Sequence, residues 1–220
     1  MKRILEPEVM DTREEAEAYD AMDHGEVNDL FVGRIVELGA CEGNFLDLGT
    51  GTADIPILLA QRLPKIQIVG IDLSLNMLKL GEAHVAKAGL ADRIVLECVD
   101  AKSLPYPDQS FDGVISNSII HHIPDPMPAL REISRTVRRG GLILIRDLIR
   151  PESPEAAQTL VNQYAADDTP YQKNLLYDSF RAAFTIAEVE AMHAQVNLPD
   201  AAVVQSSDRH WSIERPFDRN

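Results

Sequence analysis

The stretch FLDLGTGTAD, residues 45–54, decides the fold of this chain. Its first four residues are an apolar run broken only by Asp47, which predicts a short buried strand. Gly49 and Gly51 follow at once and predict a tight turn, because glycine adopts left-handed backbone conformations without steric cost. A helix is then predicted over residues 54–63, and Pro64 ends it. Strand, glycine turn and helix in this order begin a βαβ unit.

The rest of the chain alternates short apolar runs with helical patterns. Further strands are predicted at 66–71, 94–99, 111–116 and 142–145, helices at 74–88, 126–139 and 185–196, and an antiparallel pair at 201–204 and 210–213. Strands that alternate with helices of ten or more residues favour a parallel sheet with both faces covered. The predicted fold class is therefore α/β: a doubly wound, mostly parallel, seven-stranded, Rossmann-like sheet with helices on both faces. We expect Gly140-Gly141 to turn the chain from the helix that ends at Arg139 into the fifth strand.

The pattern predicts one domain over residues 1–220. Its expected parts are an N-terminal helical lid at 1–40, a ligand-binding core at 41–149, a helical insert after strand five at 150–184, and the last helix with the antiparallel strands at 185–220. Within the lid, Thr12 and Glu15 have the spacing of a capping box, which predicts the start of the first helix. Apolar residues recur at helical spacing over 26–38, so the second helix has a face to bury.

Composition and charge restrict the partners. The 220 residues are 45% apolar and 25% charged, as in ordinary globular proteins. Their 35 acidic and 21 basic residues give a net charge of −14, which repels phosphate backbones and anionic lipids. We therefore expect neither nucleic acid nor membrane as a partner, although a local basic groove stays compatible with this charge. The oligomeric state is left open, with a homodimer as one option.

The sequence carries no targeting or cross-linking signal. Residues 1–7 lack the apolar core of a signal peptide, and no window approaches eighteen consecutive apolar residues. Cys41 and Cys98 have neither metal-ligand spacing nor a partner pattern typical of a disulfide framework. We therefore expect a cytoplasmic protein.

Polar side chains stand where four predicted strands end. Asp47 is the last residue but one of the first strand, Asp72 and Asp100 directly follow the second and third strands, and Asn117-Ser118 follows the fourth. Ligands of open α/β sheets bind beyond the carboxyl ends of the strands. We therefore expect three acids and an amide to line a single binding edge.

The spacing of these residues indicates a ligand that contains adenosine. Asp72 lies 21 residues beyond Gly51, the distance at which a carboxylate meets the two ribose hydroxyls. Asp47 would repel a pyrophosphate and would suit a cation such as an α-ammonium group. Asp54 stands where the dinucleotide fingerprint G-x-G-x-x-G has its third glycine. Both departures disfavour an NAD-dependent oxidoreductase and favour a cationic ligand without phosphate.

The run at 45–52 resembles the first motif of class I S-adenosylmethionine-dependent methyltransferases. Three further runs are similar to the ubiquinone/menaquinone-biosynthesis, Methyltransferase-11-like branch of that family: LPYPDQSFD at 104–112, IIHHIPDP at 119–126 and RRGGL at 138–142. The resemblance covers roughly residues 47–147. It implies S-adenosyl-L-methionine as the cofactor, S-adenosyl-L-homocysteine as the product, and in-line methyl transfer to a small-molecule acceptor.

The resemblance also implies which residues hold the cofactor. The implied set is Asp47, Gly49, Thr50, Gly51, Asp54, Asp72, Leu73, Asp100, Ala101, Asn117 and Ser118. In this set the two glycines would border the methionine part and Asp47 would hold its polar end. Thr52-Ala53 replaces the usual third glycine of the motif, from which we expect a slightly altered turn.

The other implied contacts concern the nucleoside and the methyl group. Asp72 would take the ribose hydroxyls, and Leu73 would pack on the adenine. Asp100 would accept from the adenine amino group, with Ala101 beside it. Asn117 would lie next to the methyl group that is transferred.

Four residues are candidates for a general base: His121, His122, Tyr19 and Asp147. A base is needed only if the acceptor must lose a proton. Adjacent histidines recur at this place in the family whatever the substrate, which favours a packing role for both. Tyr19 lies on an acidic, surface-like helix, and Asp147 closes the fifth strand at the binding edge.

The sequence leaves two alternatives and one negative expectation. His121, His122 and Asp125 could be grouped as a metal site, but prolines on both sides of Asp125 constrain the loop, and we expect no metal. One alternative function is methylation of tRNA or of a protein tail; the acidic N-terminal block disfavours the RNA. The other is a non-catalytic S-adenosylmethionine-binding module that regulates a partner.

Overall fold

The computed structural model describes residues 1–9, 12–22 and 24–218, and a single seven-stranded sheet forms its centre. The strands are β1 (Glu42–Leu48), β2 (Lys65–Asp72), β3 (Ile94–Cys98), β4 (Phe111–Asn117), β5 (Val137–Leu148), β6 (Ala202–Gln205) and β7 (His210–Arg215). Their order is β3-β2-β1-β4-β5-β7-β6. The first five strands pair in parallel, whereas β7 runs antiparallel to both β5 and β6. The predicted doubly wound, mostly parallel sheet is confirmed.

Helices cover both faces of this sheet. They are α1 (Arg13–Asp20), α2 (Gly25–Glu37), α3 (Asp54–Arg62), α4 (Leu75–Lys87), α5 (Met127–Thr136), α6 (Pro154–Tyr164), α7 (Pro170–Ala182) and α8 (Ile186–His193), with a 3₁₀ turn at Ile120–His122. One core packs α2, α3 and α4 on the face that carries Phe45. The other packs α5 and α8 on the face that carries Leu46 and Leu48. Because strand side chains alternate between faces, β1 contributes to both cores.

The insert between β5 and α8 forms a smaller core of its own. Val161 of α6 and Phe180 of α7 are fully buried there against Leu148, at the end of β5. The insert therefore stands beyond the carboxyl end of the sheet, where α7 also meets the 3₁₀ turn. None of the helices in the described part of the chain has the length and apolar character needed to cross a membrane.

Local signals mark the helix ends as the sequence predicts. Thr12 accepts from the backbone of Glu15, whose side chain accepts from the Thr12 backbone, so the capping box of α1 is complete. The Ser74 side chain accepts from the Met77 N–H and begins α4. Gly89, just past the end of α4, has a φ of 70°, a conformation that glycine adopts freely.

The expected boundary between α5 and the fifth strand is wrong. The helix ends at Thr136 rather than Arg139, and β5 already starts at Val137. Gly140-Gly141 is a bulge inside β5: Val137 pairs with Phe111, and the register with β4 then shifts. Glycines that look like a turn in sequence here let one strand bend without leaving the sheet.

Candidate functional site

A cavity lies beyond the carboxyl ends of β1, β2, β3 and β4. It encloses about 810 Å³, counting the part that is open to solvent. Eight of the eleven residues implied as cofactor ligands line it: Gly49, Gly51, Asp72, Leu73, Asp100, Ala101, Asn117 and Ser118. These residues span 70 positions of the sequence, and the parallel strands bring them together because all four strands end at the same edge of the sheet.

The glycine turn shapes one wall of this cavity. Gly49 has a φ of 70° and Gly51 a φ of 55°, so both adopt left-handed conformations that favour glycine. A Cβ on Gly49 would lie 1.9 Å from the Ile119 Cγ2, so only glycine fits there. Ala53, in the place of the third glycine, also has a positive φ, of 67°. The turn is therefore kept in the left-handed conformation although the third glycine is missing.

Asp72 is oriented by backbone donors at the end of β2. Its Oδ2 accepts from the Gly51 N–H at 3.0 Å, and its Oδ1 accepts from the Ser74 N–H at 2.8 Å. Burial raises the pKa of Asp72, while these two donors act in the opposite direction. The carboxylate is thus fixed between the glycine turn and α4, with lone pairs left for a ligand.

Asp100 belongs to a charged group at the mouth of the cavity. Its Oδ1 accepts from the Lys102 backbone at 2.8 Å and lies 3.0 Å from the Lys102 ammonium. The same ammonium also pairs with Glu8. Lys102 therefore joins the end of β3 to the N-terminal stretch.

Asp47, Thr50 and Asp54 do not line the cavity. Asp47 is 1% exposed, and its Oδ2, like the Thr50 hydroxyl, has no hydrogen-bond partner among the described residues. Burial, together with the negative charge of Asp72, raises the pKa of Asp47 to about 7. Asp54 instead accepts from the Thr52 hydroxyl at 3.3 Å. An unpartnered buried carboxylate before the glycine turn fits a cationic group, the property expected of an α-ammonium.

Asn117 links the cavity to the neighbouring strand. It ends β4, pairs in register with Arg146 of β5, and accepts at Oδ1 from the Arg146 Nε at 3.0 Å. The guanidinium also donates to the Val27 carbonyl at 3.2 Å and lies 4.7 Å from the centre of the Phe31 ring. Arg146 therefore holds the Asn117 amide from the β5 side, which is opposite the glycine turn.

Two of the four candidate bases, Tyr19 and His122, line the cavity. Burial and the negative charges of Asp54 and Asp72 raise the pKa of Tyr19 to about 12, so its hydroxyl keeps its proton at neutral pH. Burial and the positive charge of His121 lower the pKa of His122. His122 is therefore a neutral imidazole at pH 7, while Tyr19 is a hydrogen-bond donor.

The other two candidates, His121 and Asp147, lie outside the cavity lining. Both are buried, and the His121 Nδ1 lies 2.5 Å from the Asp147 Oδ1. The other ring nitrogen, Nε2, is 3.2 Å from the Glu6 carboxylate. The two carboxylates outweigh burial and raise the pKa of His121 to about 9. An imidazolium between two carboxylates is a structural ion cluster that has no free nitrogen for a substrate.

The N-terminal stretch at 1–9, which we call the strap, closes the cavity from outside. Glu8 and Val9 line the cavity, and Glu6 reaches the buried histidine. The Arg3 guanidinium donates to the carbonyls of four residues, Ala182, Pro124, His121 and Ile123, at 2.6 to 3.1 Å. The strap lies within the N-terminal lid expected at 1–40, but sequence reasoning missed its individual contacts, because these residues show no periodicity or motif that would predict contacts more than 100 positions away.

One group of side chains has the spacing of metal ligands. Ligand atoms of Glu6, His121 and His122 all lie within 4.8 Å of one another in the described part of the chain. This group differs from the one considered in sequence, which contained Asp125. Its central histidine is already engaged on both ring nitrogens.

Comparisons with known proteins agree with this site. Residues 46–145 match a family described as a methyltransferase domain. Over 112 residues the chain is 36% identical to a demethylmenaquinone methyltransferase of Roseiflexus castenholzii and 35% identical to a ubiquinone/menaquinone biosynthesis C-methyltransferase of Geobacter sulfurreducens. These matches cover 51% and 50% of this chain and 45% and 44% of the relatives, so the chain matches less than half the length of either.

Residues 46–145 are therefore similar to a methyltransferase domain, and the chain resembles methyltransferases of ubiquinone/menaquinone biosynthesis over about half of its length. Solved structures share its fold over most of its length. One is an S-adenosylmethionine-dependent methyltransferase from Aquifex aeolicus, with a TM-score of 0.70 at 18% identity, covering 94% of this chain and 99% of that one. Another is phosphoethanolamine N-methyltransferase 2 from Haemonchus contortus in complex with S-adenosyl-L-methionine, with a TM-score of 0.68 at 21% identity, covering 89% and 44%.

Proposed function

We propose that this protein transfers a methyl group from S-adenosyl-L-methionine to a small-molecule acceptor. The observation that carries the proposal is the convergence of the glycine turn, Asp72, Asp100 and Asn117 on one cavity within the matched domain. Two of its curated relatives are named for the methylation of demethylmenaquinone or for ubiquinone/menaquinone biosynthesis, which supports a small-molecule acceptor over tRNA or a protein. The net charge of −14 also opposes RNA.

The residues of the cavity, together with Asp47 before the glycine turn, would each bind a different part of the cofactor. Asp72, held by two backbone donors, accepts from the ribose hydroxyls, and Asp100 accepts from the adenine amino group. Gly49 and Gly51 admit the methionine part, and the buried Asp47 carboxylate, whose Oδ2 has no hydrogen-bond partner among the described residues, attracts its ammonium. Each role matches the chemistry of the group that it would meet: acceptors face hydroxyls and amines, and a buried anion faces a cation.

When bound, the cofactor supplies an electrophilic methyl group on a sulfonium, which leaves as the neutral thioether S-adenosylhomocysteine. The protein therefore has to align the acceptor and exclude water; alignment alone accounts for about 7–11 kcal/mol of barrier lowering in well-oriented systems. The strap and the helical insert provide the cover, since Glu8 and Val9 border the cavity from outside. Where the acceptor must lose a proton, the neutral His122 imidazole is the base that faces the cavity.

Isothermal titration with S-adenosylhomocysteine tests the cofactor site. We expect binding to the unmodified protein and about 10- to 100-fold weaker binding to Asp72→Ala, because two hydrogen bonds to a charged acceptor are lost. The matched control is Asp92→Ala, an exposed carboxylate in the turn before β3, which should bind normally. If the unmodified protein does not bind S-adenosylhomocysteine, the proposed function is wrong.

Turnover separates an enzyme from a regulatory module. Production of S-adenosylhomocysteine from S-adenosylmethionine should appear when phenols, quinols, amines or thiols are added one class at a time. Binding without turnover on any class would favour the non-catalytic module. The two unpaired cysteines, Cys41 and Cys98, agree with the cytoplasmic location that we propose for the enzyme.

A further inference from the structure

A second, larger groove adjoins the cofactor cavity on the β4–β5 side. It runs between α2 and the strands β5, β7 and β6, and the loop between β6 and β7 closes its upper end. Asn117 lines the cavity and Arg146 lines the groove, and the hydrogen bond between these two side chains forms the wall between them. A molecule at the upper end of the groove would therefore lie beside the residue nearest to the methyl group in the proposed enzyme.

The sheet register aligns three polar side chains across this wall. Asn117 pairs with Arg146, and Arg146 pairs with Ser212 of β7, so the three lie in one row on the same face of the sheet. Ser212 is fully buried, lines the groove, and its hydroxyl has no hydrogen-bond partner among the described residues. A buried hydroxyl without a partner costs free energy unless a ligand or water satisfies it.

The upper end of the groove concentrates positive charge in an acidic protein. Arg146 and Arg209 both line it, and neither guanidinium has a carboxylate within ion-pair distance among the described residues. Burial and the positive charge of Arg209 lower the pKa of Arg146 to about 10. Burial and the charges of both arginines lower the pKa of His210 to about 3, so the histidine stays neutral beside them.

In the described part of the chain, three of the five acids that line the groove, Asp29, Glu37 and Glu214, pair with arginines at its lower end. At the lower end, Arg34 pairs with Glu37 at 2.9 Å and with Glu214 at 2.6 Å. Arg62 pairs with Asp29. The other two lining acids have no basic partner among the described residues: Asp208, in the loop between β6 and β7, accepts from the neutral Tyr164 hydroxyl, and Glu26 is exposed at the start of α2. Asp147, outside the lining, lies 2.5 Å from His121. At the upper end Arg146 and Arg209 therefore outnumber Asp208, the acid of the loop that closes this end, and a positive charge is left for a ligand to balance.

From this arrangement we propose that the upper end of the groove is the acceptor site and that the acceptor carries an anionic group, a carboxylate or a phosphate. Arg146 and Arg209 bind the anion, and the Ser212 hydroxyl donates to it or to a neighbouring acceptor oxygen. Tyr164, stacked under the Arg209 guanidinium at 3.3 Å from its ring centre, keeps that arginine in place. The inference rests on the proposed function and adds the charge of the substrate to it.

The test compares a charged probe with its neutral analogue on the protein saturated with S-adenosylhomocysteine. The probes are 3,4-dihydroxybenzoate, its amide 3,4-dihydroxybenzamide, and inorganic phosphate, each titrated by calorimetry at constant ionic strength. We expect the carboxylate to bind about tenfold or more tightly than the amide, and phosphate to compete with it. Saturation with S-adenosylhomocysteine is measured first, so a failure of the proposed function shows itself before the probes are added.

Variants test which side chains bind the anionic group. Arg209→Gln should remove the preference for the carboxylate and leave the affinity for S-adenosylhomocysteine unchanged. Arg209→Lys should keep part of that preference. Arg62→Gln, in the paired half of the groove, is the matched control and should keep the full preference. Equal binding of acid and amide, an unchanged preference in Arg209→Gln, or no binding of either anion would each overturn the proposal.

Discussion

Replacing His121 by glutamine should remove a pH dependence of stability that the structure predicts. The imidazolium lies between Asp147, at 2.5 Å, and Glu6, at 3.2 Å, and its pKa is raised from 6.5 to about 9. A group whose pKa is higher in the folded state stabilises that state fully below its unfolded pKa, and this stabilisation is lost as the pH rises through the folded value. The relevant window therefore lies between pH 6.5 and 9.

The size of the effect follows from the shift in pKa. A shift of this size corresponds to about 3 kcal/mol of stability at low pH, of which about 2 kcal/mol is lost between pH 7 and pH 9. The lowered pKa values of Glu6 and Asp147 describe the same interactions and are not added again. Asp47, with a pKa of about 7, titrates at the lower end of this window; it contributes only about 0.4 kcal/mol between pH 7 and pH 9, equally in both proteins.

Urea unfolding at pH 7, 8 and 9 measures this slope. The unmodified protein should lose about 2 kcal/mol of unfolding free energy across the series. His121→Gln should be less stable at pH 7 by about 3 kcal/mol, since two buried carboxylates lose their counter-charge, and should show a much smaller slope. His84→Gln, which removes a partly exposed histidine, should keep the original slope. A flat profile in the unmodified protein, or an unchanged slope in His121→Gln, would refute the buried imidazolium.

Two further predictions concern the glycine turn and the acid before it. Asp47→Asn should raise the unfolding free energy at pH 8 by about 2 to 4 kcal/mol, because a buried charge is removed. The same substitution should weaken S-adenosylhomocysteine binding at least tenfold. Unchanged stability in urea titrations would contradict the buried carboxylate. Gly49→Ala should lower the unfolding free energy by about 2 to 5 kcal/mol, because of its positive φ and the clash with Ile119. Gly89→Ala, at a residue with the same φ and nothing within 4 Å of an added Cβ, should cost only about 1 kcal/mol. Equal melting temperatures for the two variants would rule out the clash.

The fold could be predicted because its signals are local. Each strand of the parallel core is a short apolar run, and the residue that follows it, such as Asp72 or Asn117, is delivered to the binding edge by topology alone. The β5 boundary could not be predicted in the same way. Gly140-Gly141 has the composition of a turn, and only pairing with β4 shows that it is a bulge.

The parts of the site that sequence reasoning missed depend on contacts between distant residues. Glu6 and His121 are 115 positions apart, and Arg146 and Arg209 are 63 apart. No periodicity or spacing encodes such pairs, since each residue taken alone reads as an ordinary surface charge. His210 shows the same limit, because Arg146, one of the two arginines that lower its pKa, comes from the distant end of β5.

The placement of the four candidate bases also bears on the chemistry of the acceptor. His121 and Asp147 are tied to each other and to the strap, and Tyr19 keeps its proton because its pKa is about 12. His122, whose pKa is lowered, can accept a proton only weakly. In the proposed enzyme, so little basic capacity in the cavity suits an acceptor that is already nucleophilic at neutral pH, or one whose proton leaves easily. A positive field from Arg146 and Arg209 favours that ionised form, so the groove would supply by electrostatics what the cavity lacks in a strong base.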